Sequence, residues 1–455
     1  MPKKTLVLLL VVWVVMASAG EARAQELGWI RQFGTSGFDT ADGIAGDSNH
    51  VYVTGSVGFD LAFPGLVSAG GGDTFVRKLD AAGADLWTTQ FGTSGFDGFS
   101  KLAIVEGSLY VAGFTTGTFE GQSSAGGNDI FIRQYDLEGN PGWTRQFGTS
   151  GNDRALGITA HAAGVYIFGV TTGVFPTQTS AGGSDFFVAK LDFGGSLLWV
   201  RQFGTSVDDP ARIFLGGIAV DDTGVYVGSG VALALPGQAS VGDVDAFLRK
   251  YDFHGNELWT TQFGTACRDR VTAVAVHSSG MYVAGGTFGE MANPFSPRCT
   301  NPQPIHAGRL SSTFVQRRTA DGTVLWTQQY DDGSEGSSGL PTGFSLARGL
   351  AVGDTGVFVV SEAIRAGNPG ALDQIDPACP PVGPNELDIH VRMHGLEGET
   401  IWTQLIGSTA IEQASHITVN ATGVYVAGST GCQLAGQVSA GSAGSADAVV
   451  IKLTP

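Results

Sequence analysis

LWTTQFGTSGFD, residues 86–97, decides how this chain folds. Six relatives of it stand elsewhere: GWIRQFGTSGFD (28–39), GWTRQFGTSGND (142–153), LWVRQFGTSVDD (198–209), LWTTQFGTACRD (258–269), LWTQQYDDGSEG (325–336) and IWTQLIGSTAIE (401–412). Their tryptophans are Trp29, Trp87, Trp143, Trp199, Trp259, Trp326 and Trp402, spaced by 58, 56, 56, 60, 67 and 76 residues. Recurrence at such a period is the signature of a repeat architecture, in which each unit buries its apolar face against the next.

Three further segments recur within each period. The first is an apolar alternation broken by a short turn, as in LAIVEGSLYVAG (102–113), GIAVDDTGVYVGS (217–229) and ITVNATGVYVAG (417–428). Period-2 apolar runs on either side of a tight turn read as a β-hairpin. A third strand follows: DTFVRKLD (73–80), DIFIRQYD (129–136), DFFVAKLD (185–192), DAFLRKYD (245–252), STFVQRRT (312–319), DIHVRMHG (388–395) and DAVVIKLT (447–454). A Gly-bearing turn then leads to the strand that holds the Trp. Four strands per unit, seven units and no helical periodicity after the first residues predict an all-β, seven-bladed β-propeller of four-stranded blades.

The two ends of the pattern are complementary. The chain enters the repeats on a lone fourth strand at 28–33 and leaves on a third strand at 447–453 that lacks its fourth. The N-terminal strand is therefore expected to complete the last blade. Such closure removes the exposed sheet edges that template aggregation. The aromatic face of each fourth strand and the Val-Tyr-Val of each second strand suit sheets packed against neighbours on both sides.

Residues 1–24 read as a secretory signal peptide: Lys3 and Lys4, an apolar run over 6–16, then small residues with Ala-x-Ala sites at 17–19 and 22–24. Residues 25–455 form the propeller in this reading. The run is too short for a bilayer span, which takes about 20 apolar residues, so no transmembrane segment is expected after cleavage. Net charge is −17, and the leader's three cations and one acid leave the remainder near −19. That balance excludes nucleic acid, whose phosphates need clustered Lys and Arg. Charged residues are only 15% and glycines number 69, as expected for buried sheets joined by tight turns.

The combination of FGTSGxD, GIAVDxxGVYVxG and DxFVxKLDxxGxxLW resembles the bacterial SBBP-type β-propeller repeat family over 28–455. The resemblance implies a secreted or surface-associated propeller and brings no settled activity with it. The LDxxGxxLW segment also looks like the tryptophan-docking repeat of quinoprotein dehydrogenases; those rings usually have eight blades and hold a quinone with adjacent cysteines, whereas this chain counts seven units and has no Cys-Cys pair.

Ten residues after six of the tryptophans stands an acid: Asp39, Asp97, Asp153, Asp209, Asp269 and Glu412. The position falls where one blade leads into the next blade's innermost strand, at one mouth of the central channel. Like charges there raise one another's pKa. Either the N–H groups of the local turn satisfy each acid, or cations such as Ca²⁺ neutralise a ring of them. A second set, Asp73, Asp129, Asp185, Asp245, Asp388 and Asp447, opens the third strands on the same face, and together the two sets are expected to make that face acidic.

Cys267, Cys299, Cys379 and Cys432 all fall in connections on this face, and an even count in an exported chain favours disulfides. Neighbourhood around the ring picks Cys267–Cys299 and Cys379–Cys432; zinc is the alternative, without CxxC spacing to support it. Insertions at 290–310, 331–345 and 363–387 interrupt consecutive blades there. Long loops on a rigid scaffold are where binding concentrates, and Arg298, His306, Arg309, Arg365, Asp373 and Asp376 are the ligand-binding groups they offer. No catalytic residue emerges: GxSxG, HExxH and phosphate-loop motifs are absent. The chain is thus expected to be a secreted, periplasmic or cell-surface monomer, non-catalytic, binding an extracellular protein or glycan through its insertion loops. The alternatives are an enzyme with a divalent cation or quinone at the channel mouth, and a purely structural surface protein.

Overall fold

A computed structural model describes residues 26–209, 215–292, 311–330, 345–364, 387–407, 412–434, 436–440 and 445–454. The first strand is β1 (Leu27–Phe33). Blade 1 then runs β2 (Thr40–Gly46), β3 (His50–Val57), β4 (Asp73–Asp80) and β5 (Asp85–Phe91); blade 2 runs β6 (Asp97–Val105), β7 (Ser108–Thr115), β8 (Asp129–Asp136) and β9 (Pro141–Phe147). Blade 3 comprises β10 (Asp153–His161), β11 (Gly164–Thr171), β12 (Asp185–Leu191) and β13 (Leu197–Phe203), and blade 4 comprises β14 (Gly217–Asp221), β15 (Gly224–Val231), β16 (Asp245–Tyr251) and β17 (Glu257–Phe263). Blade 5 holds β18 (Asp269–His277), β19 (Gly280–Thr287), β20 (Ser312–Arg318) and β21 (Val324–Tyr330). Blade 6 holds β22 (Ser345–Gly353), β23 (Gly356–Ile364), β24 (Leu387–His394) and β25 (Thr400–Ile406). Blade 7 adds β26 (Glu412–Asn420), β27 (Gly423–Thr430) and β28 (Asp447–Leu453).

Every sheet is four-stranded and antiparallel, and the last one is ordered β1-β28-β27-β26. Ile30 pairs with Ile451 and Phe33 with Ala448, so the first strand closes the ring as its sequence position implied. The fold is a seven-bladed β-propeller. Neighbouring innermost strands touch all the way round, from β2 through β26 and back to β2, and enclose the central channel.

The core is not one cluster but seven, each shared by two adjacent blades. Tyr166, Phe168, Phe186 and Val188 of blade 3, for example, pack on Val225, Val227, Phe247 and Tyr251 of blade 4. The β-branched and aromatic alternation thus fills both faces of every sheet.

Six of the seven repeated tryptophans are seen to join a blade to the next. Each indole Nε1 donates to a carbonyl in the following blade's turn between third and fourth strands: Trp29 to Ala81 (3.1 Å), Trp87 to Leu137 (3.2 Å), Trp143 to Phe193 (2.9 Å), and likewise for Trp199, Trp259 and Trp326. The same ring rests on the turn's glycine. Gly195 has φ +84°, and a Cβ there would lie 2.7 Å from Trp143 Cε3. Gly195→Ala is therefore expected to destabilise the protein by roughly 2–4 kcal/mol, from the left-handed backbone and the displaced indole together. Denaturant unfolding reads this directly, and a variant as stable as its parent would refute the docking role.

Candidate functional site

Two kinds of connection emerge on one face of the ring: the link from each outer strand to the next inner strand, and the loop between second and third strands. The repeated acids sit here, and all are buried. Asp97 caps its own turn, accepting the Thr93 N–H at 2.6 Å and the Thr93 hydroxyl at 3.0 Å. Asp39, Asp153, Asp209 and Asp269 do the same for Thr35, Thr149, Thr205 and Thr265. Asp39 and Asp209 also accept N–H groups of the following loop, from Gly58 and Ala232. Glu412 is buried as well and accepts the Thr430 hydroxyl.

The third-strand acids are held just as locally. Asp73 accepts the Ala69 N–H (2.9 Å) and the Gln90 amide (2.8 Å). Asp129, Asp185, Asp245 and Asp447 are held by the equivalent loop N–H and by Gln146, Gln202, Gln262 and Gln32. This explains the invariant Gln of the TQF and RQF segments as well as the Asp. The glycine of FGT stands between the two acids: a Cβ on Gly92 would lie 2.3 Å from Asp73 Oδ1 and 2.8 Å from Asp97 Oδ2. Burial, aided by the nearby Asp73 charge, raises the Asp97 pKa to about 6, against the pull of the Thr93 bonds. Burial also raises Asp39, Asp153, Asp209 and Asp269.

Both sets of acids are buried, and most of them accept hydrogen bonds from their own loops. Among the described residues no three His, Cys, Asp or Glu side chains gather into a group that could hold a metal ion. Cys267 is buried. Cys299, Cys379 and all six of Arg298, His306, Arg309, Arg365, Asp373 and Asp376 lie outside the described residues, as does the leader.

What lies open on this face is something the sequence reasoning missed. The channel forms a cavity of about 910 Å³ whose mouth is lined by Phe38, Phe59, Phe96, Phe99 and Phe114. Phe38, Phe59 and Phe99 are 60%, 69% and 60% exposed. Phe96 is central: its ring centroid is 5.8 Å from Phe59, 6.2 Å from Phe99 and 5.6 Å from Phe114. Phe99 stacks on Phe114 at 5.7 Å, and the Arg154 guanidinium lies 4.6 Å from the Phe114 centroid.

The local reason is a break in the repeat. Two residues after the acid, or after Ser345 in blade 6, the inner strand places a small or branched side chain in the core: Ala41, Ala155, Val271, Ala347 and Ala414 are all buried. Blade 2 has Phe99 there, too large for that space. Its φ is +54°, and the ring is turned out into solvent beside a bulge between Gly98 and Lys101. A bulky side chain in the left-handed region is a strained exception of the kind that clusters at binding sites. The sequence signals were this loss of register and the phenylalanine before the acid in both GTSGFD segments, Phe38 and Phe96.

Deeper in the channel a largely apolar wall carries a few charged groups. Arg348 Nη2 bonds Glu362 Oε2 at 2.6 Å, and the Lys101 ammonium donates to the Asp42 carbonyl. Burial raises both carboxyls, Glu362 and Asp42. His416 is held near a pKa of about 4 by burial, with the Lys101 charge adding to the effect, and its Nδ1 lies 3.0 Å from the Ile44 carbonyl. The cavity wall therefore carries three cations, Lys101, Arg154 and Arg348, against the two carboxyls of Asp42 and Glu362, in a chain whose net charge is −17.

A closed seven-bladed ring with an apolar, concave mouth defines this chain as a β-propeller. No protein-family model matches it. The chain is 27% identical over 239 residues to the regulatory protein FlaEY of Caulobacter vibrioides, a match that covers 49% of this chain and 24% of that protein. The chain thus matches only about a quarter of that relative's length. Among solved structures it is similar to the WD40 repeats of RRP9, at 10% identity and a TM-score of 0.47, over 95% of this chain and 99% of that one. It is also similar to the haemagglutinin-neuraminidase ectodomain of parainfluenza virus 5, at 10% identity and a TM-score of 0.45, over 95% and 87% of the two chains. At such identities the likeness is one of fold alone.

Proposed function

We propose that this chain is an exported, non-catalytic binding scaffold that engages an extracellular protein through the face where its blade-to-blade connections emerge. The observation that carries the reading is the open, apolar channel mouth on that face, at odds with a surface that has no partner. The insertions support it by their place in the chain: 290–310 follows β19, 331–345 leads from β21 into β22, and 363–387 leads from the end of β23 into β24, the same kinds of connection as those that carry the mouth. In this reading they and the phenylalanine-lined mouth form one asymmetric contact surface. Membership of the SBBP-type repeat family is part of the same proposal and rests on the repeat motifs alone.

Pull-down from the native extracellular milieu is expected to recover a partner with the intact chain and to lose it when 290–310 and 363–387 are deleted. Identical recovery by both forms would sink the reading. Export and stapling are checked on the secreted material itself. N-terminal sequencing is expected to begin at Gln25, and peptide mapping without reduction to show Cys267–Cys299 and Cys379–Cys432. A retained leader, or any other pairing, would contradict these assignments.

A further inference from the structure

We propose that the phenylalanine mouth of blades 1 and 2, together with Arg154 of blade 3, recognises a protein segment that presents a large apolar or aromatic side chain next to a carboxylate. The inference rests on the reading of this face as a protein-binding surface and names the chemistry of what it binds. Three observations point the same way. Three of the five rings are at least 60% exposed, which costs solvation free energy that only an apolar partner recovers. Phe99 is held outward in a left-handed backbone conformation, so the platform is set before anything binds and little entropy remains to be lost on binding. Finally, Arg154 sits against Phe114 at the edge of the platform, and a planar guanidinium at that edge pairs with a carboxylate.

The alternatives fit less well. A glycan offers hydroxyls on every edge of its rings, and phenylalanine can hydrogen-bond none of them. An anionic membrane or a nucleic acid needs a broad cationic surface, which a chain of net charge −17 does not supply. An aromatic anchor filling a concave apolar pocket, with a charged group at its rim, is the usual form of a protein–protein hot spot.

The test uses the full chain as immobilised target for a phage-displayed library of random linear peptides. The expected result is a consensus that pairs Phe, Trp, Tyr or Leu with Asp or Glu within a few residues. The synthetic consensus peptide should bind roughly 10-fold or more weakly to Phe59→Ser/Phe99→Ser. Both positions are mostly solvent-exposed, and the thermal midpoint of the variant is measured alongside. Arg154→Gln provides a second variant, expected to lose the preference for the acid while keeping the aromatic. The inference is overturned by no consensus, by a consensus lacking an apolar anchor or an acid, or by undiminished binding to a folded double variant. Because the insertions are intact throughout, those outcomes leave the deletion test of the broader reading untouched.

Discussion

A chain that begins at Gly34 is expected not to fold as a cooperative unit. Removing β1 takes Ile30 out of the core between blades 6 and 7, and takes Trp29 and Phe33 away from the core between blades 7 and 1. Burial of a large apolar side chain is worth about 1.5–3 kcal/mol, so three of them amount to roughly 5–9 kcal/mol before any backbone pairing is counted. A folded domain has only about 5–15 kcal/mol in hand. The loss also bares β28, a flat apolar edge of sequence DAVVIKL, which is the kind of edge that recruits other strands. Calorimetry should show no cooperative transition, and light scattering should show aggregation. The rescue is equally specific. Thr454 N donates to the Glu26 carbonyl at 3.0 Å, so the two ends already meet. A permuted chain that begins at Gly34 and carries residues 26–33 after Pro455 through a short glycine linker should recover the transition. A truncated chain that melts like the parent would mean that closure contributes little.

The second large effect is on pH. Asp97 has a folded-state pKa of about 6 against an ordinary value of 3.8. Between these values the folded protein binds the proton and the unfolded chain does not, so the contribution is fully present near pH 4 and is lost as pH rises through 6. The shift corresponds to about 3 kcal/mol. His394 and His416 work in the opposite direction, since burial depresses both to about 4 and stability from that source grows as pH rises from 4 towards 6.5. Comparison with Asp97→Asn separates the two. The stability of the wild type relative to the variant should be greatest near pH 4, fall by up to about 3 kcal/mol on going to pH 6, and stay flat above 7. Parallel curves for the two proteins would show that the Asp97 carboxyl does not take up a proton in that window.

The fold was legible because its causes recur. Trp, Gln, Gly-Thr and Asp return together in blade after blade, since each is tied to the others: the indole lies on the next turn's glycine, the Gln amide on the third-strand Asp, and the FGT glycine between two carboxylates. A sequence repeats what a local geometry demands, so strand order, blade count and the closing role of 28–33 followed from the chain alone. The inner strands were read a few residues short. Pairing in β6, β10, β18 and β26 begins at the acids themselves, which looked like part of a loop.

The repeated acids show the limit of the same logic. Their recurrence marked them for a shared task without saying which way they point, and only the structure turns them inward onto their own N–H groups. The channel mouth lay further still from view. Phe38, Phe59, Phe99, Phe114 and Arg154 span more than a hundred residues, and only Phe38 lies in the recurring FGTSGxD motif. Their convergence depends on how three blades are arranged about the axis, and the exposure of Phe99 depends on one backbone angle at a site where the repeat fails. Periodicity encodes what every blade has in common; a binding surface is made of what they do not share, so it takes the closed ring to bring it together.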